Sequence, residues 1–215
     1  MKPTMLTTIY LLLFALTTYF PSAFSSNEQL KDIKGNSIFY STHFYIKPSI
    51  FGAAGGGLKL GKTGNSACPL TVLQDNSEVI NGLQLKFTTP GKIFIDLITT
   101  NQPLAGIEFV EKPECAESSK WVVVEDDDFP LPYVSIGGIE DNKGKRIING
   151  SFKIVQHGFG YKIVFCPRFT TPPGLCFDIG RSDDENGRRL ILTVLAPFEI
   201  AFEITNNNRI QRSIV

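Results

Sequence analysis

The sequence predicts an all-β protein. Apolar residues recur in short β-branched or aromatic runs separated by Gly, Pro, Asn and Asp, and beyond the first two dozen residues no stretch shows the spacing of a long amphipathic helix. An internal recurrence points the same way: Leu70-Thr71-Val72-Leu73, Trp121-Val122-Val123-Val124 and Leu190-Ile191-Leu192-Thr193 lie at intervals of about 50 to 70 residues. Three related sheet units closing on one another leave no long exposed edge. A barrel or a sandwich is therefore expected.

Nine candidate strands follow in chain order, many about five residues long and each rich in the residues that suit a pleated, half-buried surface. Phe39 to Ile46 is dense in aromatics, and Leu70 to Gln74 follows the Cys68-Pro69 pair. Leu83 to Thr88 and Ile93 to Ile98 flank Thr89-Pro90-Gly91-Lys92. Lys120 to Glu125 contains Trp121, the only tryptophan, which reads as a large core residue. Ser151 to Gln156 and Tyr161 to Cys166 are separated by a turn, His157-Gly158-Phe159-Gly160. Leu190 to Leu195 and Ile200 to Thr205 complete the series.

Ahead of these strands, Lys2 precedes an apolar stretch from Ile9 to Leu16, and a polar, small-residue region ends in Ala23-Phe24-Ser25. That is the pattern of a secretory signal peptide, residues 1–25. A membrane anchor needs roughly 20 apolar residues, whereas Thr17, Thr18 and Pro21 interrupt this run. The mature chain, 26–215, is then expected as one domain outside the cell, in the apoplast, or in the vacuole, with no membrane contact after signal removal. The chain has 21 Lys and Arg against 21 Asp and Glu, interspersed. No basic face is offered to phosphates, which excludes nucleic acid as a partner.

Export exposes Cys68, Cys115, Cys166 and Cys176 to oxidising conditions, so two disulfides are expected, with every pairing open on sequence alone. Sequential pairing would close loops of about 48 and about 11 residues, worth roughly 4 and 3 kcal/mol in the chain-entropy picture. Zinc is disfavoured, because neither cysteine pair has a two-residue spacing and His43 and His157 are remote.

Several motifs read as ordinary structure. Gly56-Gly57-Leu58-Lys59-Leu60-Gly61-Lys62-Thr63 fits the spacing of a phosphate loop, but Gly64, Asn65, Cys68 and Pro69 follow at once and block the helix such a loop must open. A glycine-rich connection is expected instead. The acidic runs Glu125 to Asp128 and Asp183 to Glu185 do not fit a calcium loop, since the twelfth position from Asp183 is Val194. Solvated turns are expected there. No nucleophile-and-base arrangement can be assembled, so the chain reads as a non-enzyme with no cofactor and no metal site. Asn149-Gly150-Ser151 is an N-glycosylation acceptor.

Beside these readings stands a resemblance that covers nearly the whole mature chain. Leu30-Lys31-Asp32-Ile33-Lys34-Gly35-Asn36-Ser37-Ile38, Thr63-Gly64-Asn65, Cys68-Pro69-Leu70-Thr71-Val72, Trp121-Val122-Val123, Tyr161 to Pro167, Asp178-Ile179-Gly180 and Arg189 to Leu192 resemble blocks of the plant Kunitz family typified by soybean trypsin inhibitor. The resemblance implies a β-trefoil of twelve strands in three pseudo-equivalent units, a monomer, and the pairings Cys68 with Cys115 and Cys166 with Cys176. It places the reactive loop in Thr88 to Ile95, with Lys92 at P1 and Ile93 at P1′, Pro90 stiffening the loop and Asn36 propping it. The implied partner is a trypsin-like serine protease.

One departure keeps an alternative open. Gly91 stands where the archetypal inhibitor carries a bulky aromatic at P2, leaving the loop less packing and more backbone freedom. A trefoil that has lost inhibition, a storage or ligand-binding protein similar to miraculin, is the competing expectation. A second inhibitory segment, Arg168 to Leu175 with its Pro172-Pro173 pair, is a further one.

Overall fold

The computed structural model describes residues 27–50, 52, 54–89, 91 and 96–205. The expected signal peptide lies outside them. No helix occurs among the described residues. The strands are β1 (Phe44–Pro48), β2 (Leu58–Gly61), β3 (Thr71–Gln74), β4 (Leu85–Phe87), β5 (Ile107–Phe109), β6 (Trp121–Asp126) and β7 (Phe129–Ile136). They continue with β8 (Arg146–Ile148), β9 (Gly150–His157), β10 (Gly160–Pro167), β11 (Phe177–Asp184), β12 (Gly187–Thr193) and β13 (Ile200–Ile204).

Antiparallel pairing joins them in the order β5-β4-β1-β13-β10-β11-β12-β3-β7-β6-β8, with β2 on β3 and β9 on β10. A bridge between Glu108 of β5 and Lys120, the residue before β6, links one end of this path to the strand next to its other end. The sheet thus curls round and closes, which removes the long edge an open sheet would expose. Strands β8 and β9 adjoin across Asn149 but pair with different neighbours, β6 and β10. That break accounts for a thirteenth strand where the resemblance implied twelve.

The recurrence in the sequence has a packing cause. Leu70 and Val72, Trp121 and Val123, and Leu190 and Leu192 all enter one core, because residues two apart on a strand share a face. Each of the three runs contributes one such pair. Trp121 is buried, as expected, edge-on to Phe152 with ring centres 5.9 Å apart. Phe44, Phe87 and Phe202 form a second aromatic group, with Phe44 4.7 Å from Phe87 and 5.2 Å from Phe202. Each such ring withdrawn from water stabilises the fold by about 1.5–3 kcal/mol.

Several sequence expectations are corrected. The strand expected from Phe39 begins at Phe44, because Thr42 N–H donates to the Phe39 carbonyl and its Oγ1 accepts from Phe39 N–H, closing a turn. Strand β7 was not anticipated, since Pro130 and Pro132 break its pattern. They sit at its exposed end, where a missing ladder donor costs little.

The glycine-rich segment, expected as a connection, contains β2. Its glycines allow close backbone approach: a Cβ on Gly56 or Gly57 would collide with the carbonyl oxygens of Ser77 or Asn81. Thr63 is buried with its hydroxyl on that of Thr71 at 2.7 Å, not free for magnesium.

Neither acidic run is simply a solvated turn. Asp183 and Asp184 end β11, and Asp184 pairs at 3.1 Å with Arg189, whose guanidinium lies 3.9 Å over the Phe129 ring. Arg189 is buried by this stacking, which screens its charge from apolar surroundings with a carboxylate and two aromatic faces. Asp126 ends β6 and accepts from the Tyr133 hydroxyl at 3.0 Å, while Lys145 lies 3.2 Å from Asp126 and donates to Tyr133 at 2.7 Å.

This trio predicts a pH effect. Burial pushes the Asp126 carboxyl up, but hydrogen bonds from Asp128 N–H, Tyr133 and Lys145 outweigh it and hold the group below its ordinary value. Burial pushes Lys145 down, and Tyr133 and then Asp126 outweigh it, so Lys145 is raised. A depressed carboxylate contributes stability that is present above its unfolded pKa and is lost as pH falls through its folded pKa. A raised lysine contributes below its unfolded pKa and loses that as pH rises through its folded one. Lys145→Met is therefore expected to lower the melting temperature most between about pH 5 and about pH 9, with the gap to the parent closing towards about pH 2. Thermal melts of both proteins across that range check it, and a constant gap would show that the charges contribute nothing.

Candidate functional site

Between β4 and β5, the segment from Thr88 to Asp96 lies outside any described strand. Pro90, Lys92 and Ile93, the residues the sequence assigns to it, lie outside the described residues. Both approaches to it are described, and both are pinned.

On the entry side, β4 pairs with β5 through Leu85↔Phe109, Lys86↔Glu108 and Phe87↔Ile107. The ladder extends one step, Thr88 N–H donating to the Gly106 carbonyl at 2.9 Å. Gly106 has to be small: a Cβ there would lie 2.8 Å from Thr88 Oγ1 and collide with the Lys120 stem. Gly91 N–H then donates to the Thr89 carbonyl at 2.9 Å, a tight local reversal. Gly91 has φ +70°, a left-handed conformation costing an L-residue roughly 1–2 kcal/mol, and among the described residues no atom stands within 4 Å of where its Cβ would be. The absent aromatic at this position thus coincides with a backbone suited to glycine.

On the exit side, Asp96 is the anchor. Tyr40 N–H donates to its carbonyl at 3.2 Å and to Oδ1 at 3.1 Å, and Ser41 Oγ donates to Oδ2 at 3.0 Å. Leu97 bridges Phe39, and Leu30 N–H takes the Ile98 carbonyl at 2.9 Å. Tyr40 is buried, and its hydroxyl is held above its ordinary pKa by burial first and the Asp96 charge second.

Asn36, the residue expected to prop the loop, is exposed, and its amide donates to both Asp32 oxygens at 3.1 and 3.0 Å. With Lys34 and Asn36 N–H also on Asp32 Oδ1, this is a turn organised round Asp32. The described exit flank is held by Tyr40 and Ser41, four and five residues further on, while residues 92–95, which Asn36 is expected to support, lie outside the described residues. Sequence reasoning missed Tyr40 and Ser41 because a Tyr-Ser pair reads as part of a strand. Its one signal was Ser41-Thr42, small hydroxyl residues that favour a turn in an otherwise aromatic run.

The cysteines pair sequentially, as the resemblance implied. Cys68–Cys115 has an S–S distance of 2.05 Å and Cys166–Cys176 one of 2.04 Å. Lys92 and Ile93 fall within the first loop, so a chain cut between them stays joined. Asn149 is exposed between β8 and β9, with its carbonyl accepting from Arg168 N–H at 2.8 Å. Among the described residues no three His, Cys, Asp or Glu side chains gather in a way that could hold a metal ion.

Comparison with known proteins gives this geometry its context. The legume Kunitz family model, described as trypsin and protease inhibitor, matches residues 30–203. The Kunitz-type trypsin inhibitor-like 1 protein of Pisum sativum is 45% identical over 207 residues, covering 94% of this chain and 93% of its own. Subtilisin inhibitor CLSI-II of Canavalia lineata is 47% identical over 175 residues, covering 80% and 89%. A Kunitz-type trypsin inhibitor from Cicer arietinum superposes with a TM-score of 0.77 at 48% identity, over 83% of this chain and 99% of that one. Soybean trypsin inhibitor, a β-trefoil, does so with a TM-score of 0.69 at 30% identity, over 83% and 100%, and its complex with porcine pancreatic trypsin is among the solved structures. These relatives are named as protease inhibitors, not enzymes. This chain is a two-disulfide β-trefoil and belongs to the legume Kunitz family of trypsin and protease inhibitors.

Proposed function

We propose that this protein is exported and inhibits a trypsin-like serine endopeptidase in a substrate-like manner, with Lys92 at P1 and Ile93 at P1′. The observation that carries the reading is the pinning of both approaches to the excursion that contains these residues. Thr88 is held on Gly106 and Asp96 on Tyr40 and Ser41. A loop whose ends are fixed loses less conformational freedom on docking, and that saving appears as affinity. A trypsin-like pocket ends in a carboxylate, and lysine can bring its ammonium there while its methylene stem lines the walls.

A second reading concerns the target. A relative at 47% identity is named a subtilisin inhibitor, and Gly91 removes bulk next to P1. Both support a protease preference that is not confined to trypsin.

The test is intact-mass measurement of the purified natural protein before and after incubation with catalytic trypsin. A single cut between Lys92 and Ile93 is expected, adding one water and releasing no fragment until Cys68–Cys115 is reduced. A cut at another bond, or rapid degradation with no loss of tryptic activity, would sink the proposal. The untreated mass also reads export, through an N-terminus near Asn27 and a hexose-containing increment at Asn149.

A further inference from the structure

The Cys166–Cys176 loop carries side chains that neither core nor disulfide explains. Phe169 is 85% exposed, and a Phe ring left in water forfeits about 1.5–3 kcal/mol of burial. It helps line a groove of about 510 Å³ together with Leu131, Ile148, Phe177, Val194 and Leu195. Leu195 and Val194 are themselves 90% and 73% exposed. Contiguous exposed apolar groups of this kind mark an interaction surface.

The loop is built to hold Phe169 outward. Its ends leave the paired strands β10 and β11 just beyond Phe165↔Phe177, and the disulfide joins them with a Cα–Cα distance of 4.1 Å. Arg168 N–H is fixed on the Asn149 carbonyl at 2.8 Å, so Phe169 follows directly on an anchored residue. Beyond it, Leu175 N–H reaches the Pro172 carbonyl at 3.4 Å, with Pro173 and Gly174 at the centre and Gly174 at φ +82°. Proline then glycine with positive φ is the signature of a tight type II turn.

We propose that this loop is a second protease-binding element, presenting Phe169 to serine endopeptidases whose primary pocket is an apolar slot. Such a pocket accepts a flat aromatic side chain. An extended segment docking in a protease cleft pairs its backbone as an added strand, so the residue entering the pocket needs a free N–H. Arg168 has spent its own on Asn149, whereas the Phe169 N–H makes no hydrogen bond among the described residues. The apolar rim of Leu131, Val194 and Leu195 supplies the surrounding contact that excludes water from such an anchor.

Chymotrypsin, whose pocket is apolar, is the probe, titrated with the parent, Phe169→Ala, Phe169→Leu and Lys92→Ala. The parent is expected to inhibit it, Phe169→Ala to weaken that by about 100-fold, Phe169→Leu to retain most of it, and Lys92→Ala to leave it unchanged. Trypsin inhibition by Phe169→Ala, measured alongside, should match the parent and shows that the variant is folded. The proposal falls if the parent fails to inhibit chymotrypsin at roughly 10 μM, if Phe169→Ala inhibits as well as the parent, or if Lys92→Ala loses chymotrypsin inhibition too. It also falls if the parent self-associates through this face, seen as a dimer by sedimentation that Phe169→Ala makes monomeric, without chymotrypsin inhibition. Loss of trypsin inhibition alone bears only on Lys92.

Discussion

Lys92→Ala is expected to weaken trypsin inhibition by about a thousandfold or more, while Lys92→Arg keeps it within about tenfold. The size follows from what the truncation leaves behind. In the complex the pocket carboxylate is desolvated, and alanine leaves that charge buried without a partner, a penalty of 2–5 kcal/mol or more. Arginine restores a cation of similar reach, with a different hydrogen-bonding head. The melting temperature should not change, because the supports of the segment are backbone and side-chain bonds of Thr88, Tyr40, Ser41 and Asp96, none of which involves Lys92. Active-site titration of trypsin gives the inhibition constants, and a thermal melt controls for folding. If Lys92→Ala inhibits like the parent, the assigned bond is wrong. If the parent itself does not inhibit trypsin but inhibits a subtilisin, the target reading changes and the loop reading stands to be repeated on that enzyme.

The strands legible in the sequence were those whose apolar residues alternate into the core. Leu70 and Val72, Trp121 and Val123, and Leu190 and Leu192 recur because each pair fills one face of a strand. The strands that escaped notice earn their pairing by other means. β7 tolerates Pro130 and Pro132 at its exposed end, and β11 pairs an acidic stretch, Ser182 and Asp183, with Arg189 and Arg188 of β12. β2 lies in a glycine run whose purpose, close backbone contact with Ser77 and Asn81, depends on partners about 20 residues away. No local periodicity reports such a cause.

The site shows the same division. Resemblance assigns Lys92 and Ile93 their expected place because motif spacing is read in one dimension, but the support of the segment is a three-dimensional matter. Asn36 is expected as a prop, and among the described residues its amide donates to Asp32. Asp96 reads as an ordinary polar residue and accepts from two neighbours 55 and 56 residues earlier.

Phe87→Ala joins core and site, and it is expected to destabilise the fold by about 3–5 kcal/mol. Phe87 is 1% exposed, 4.7 Å from Phe44 and 6.0 Å from Phe202 between ring centres, so alanine leaves a cavity that the two remaining rings cannot close without moving β1, β4 and β13 together. For a domain of this size the melting temperature should fall by roughly 8–15 °C. Phe87 is also the last residue of β4, paired with Ile107 one step before Thr88 meets Gly106. Loosening it frees the entry of the inhibitory segment, so trypsin inhibition should weaken well below the melting temperature. Phe202→Ala supplies the comparison, with a similar loss of stability from the same aromatic group but on β13, away from that entry. Inhibition constants measured at a temperature where both variants are folded should separate them, with Phe87→Ala the weaker inhibitor. Equal constants would show that the core sets stability alone and that Thr88 and Asp96 hold the segment without help from the ring beneath it.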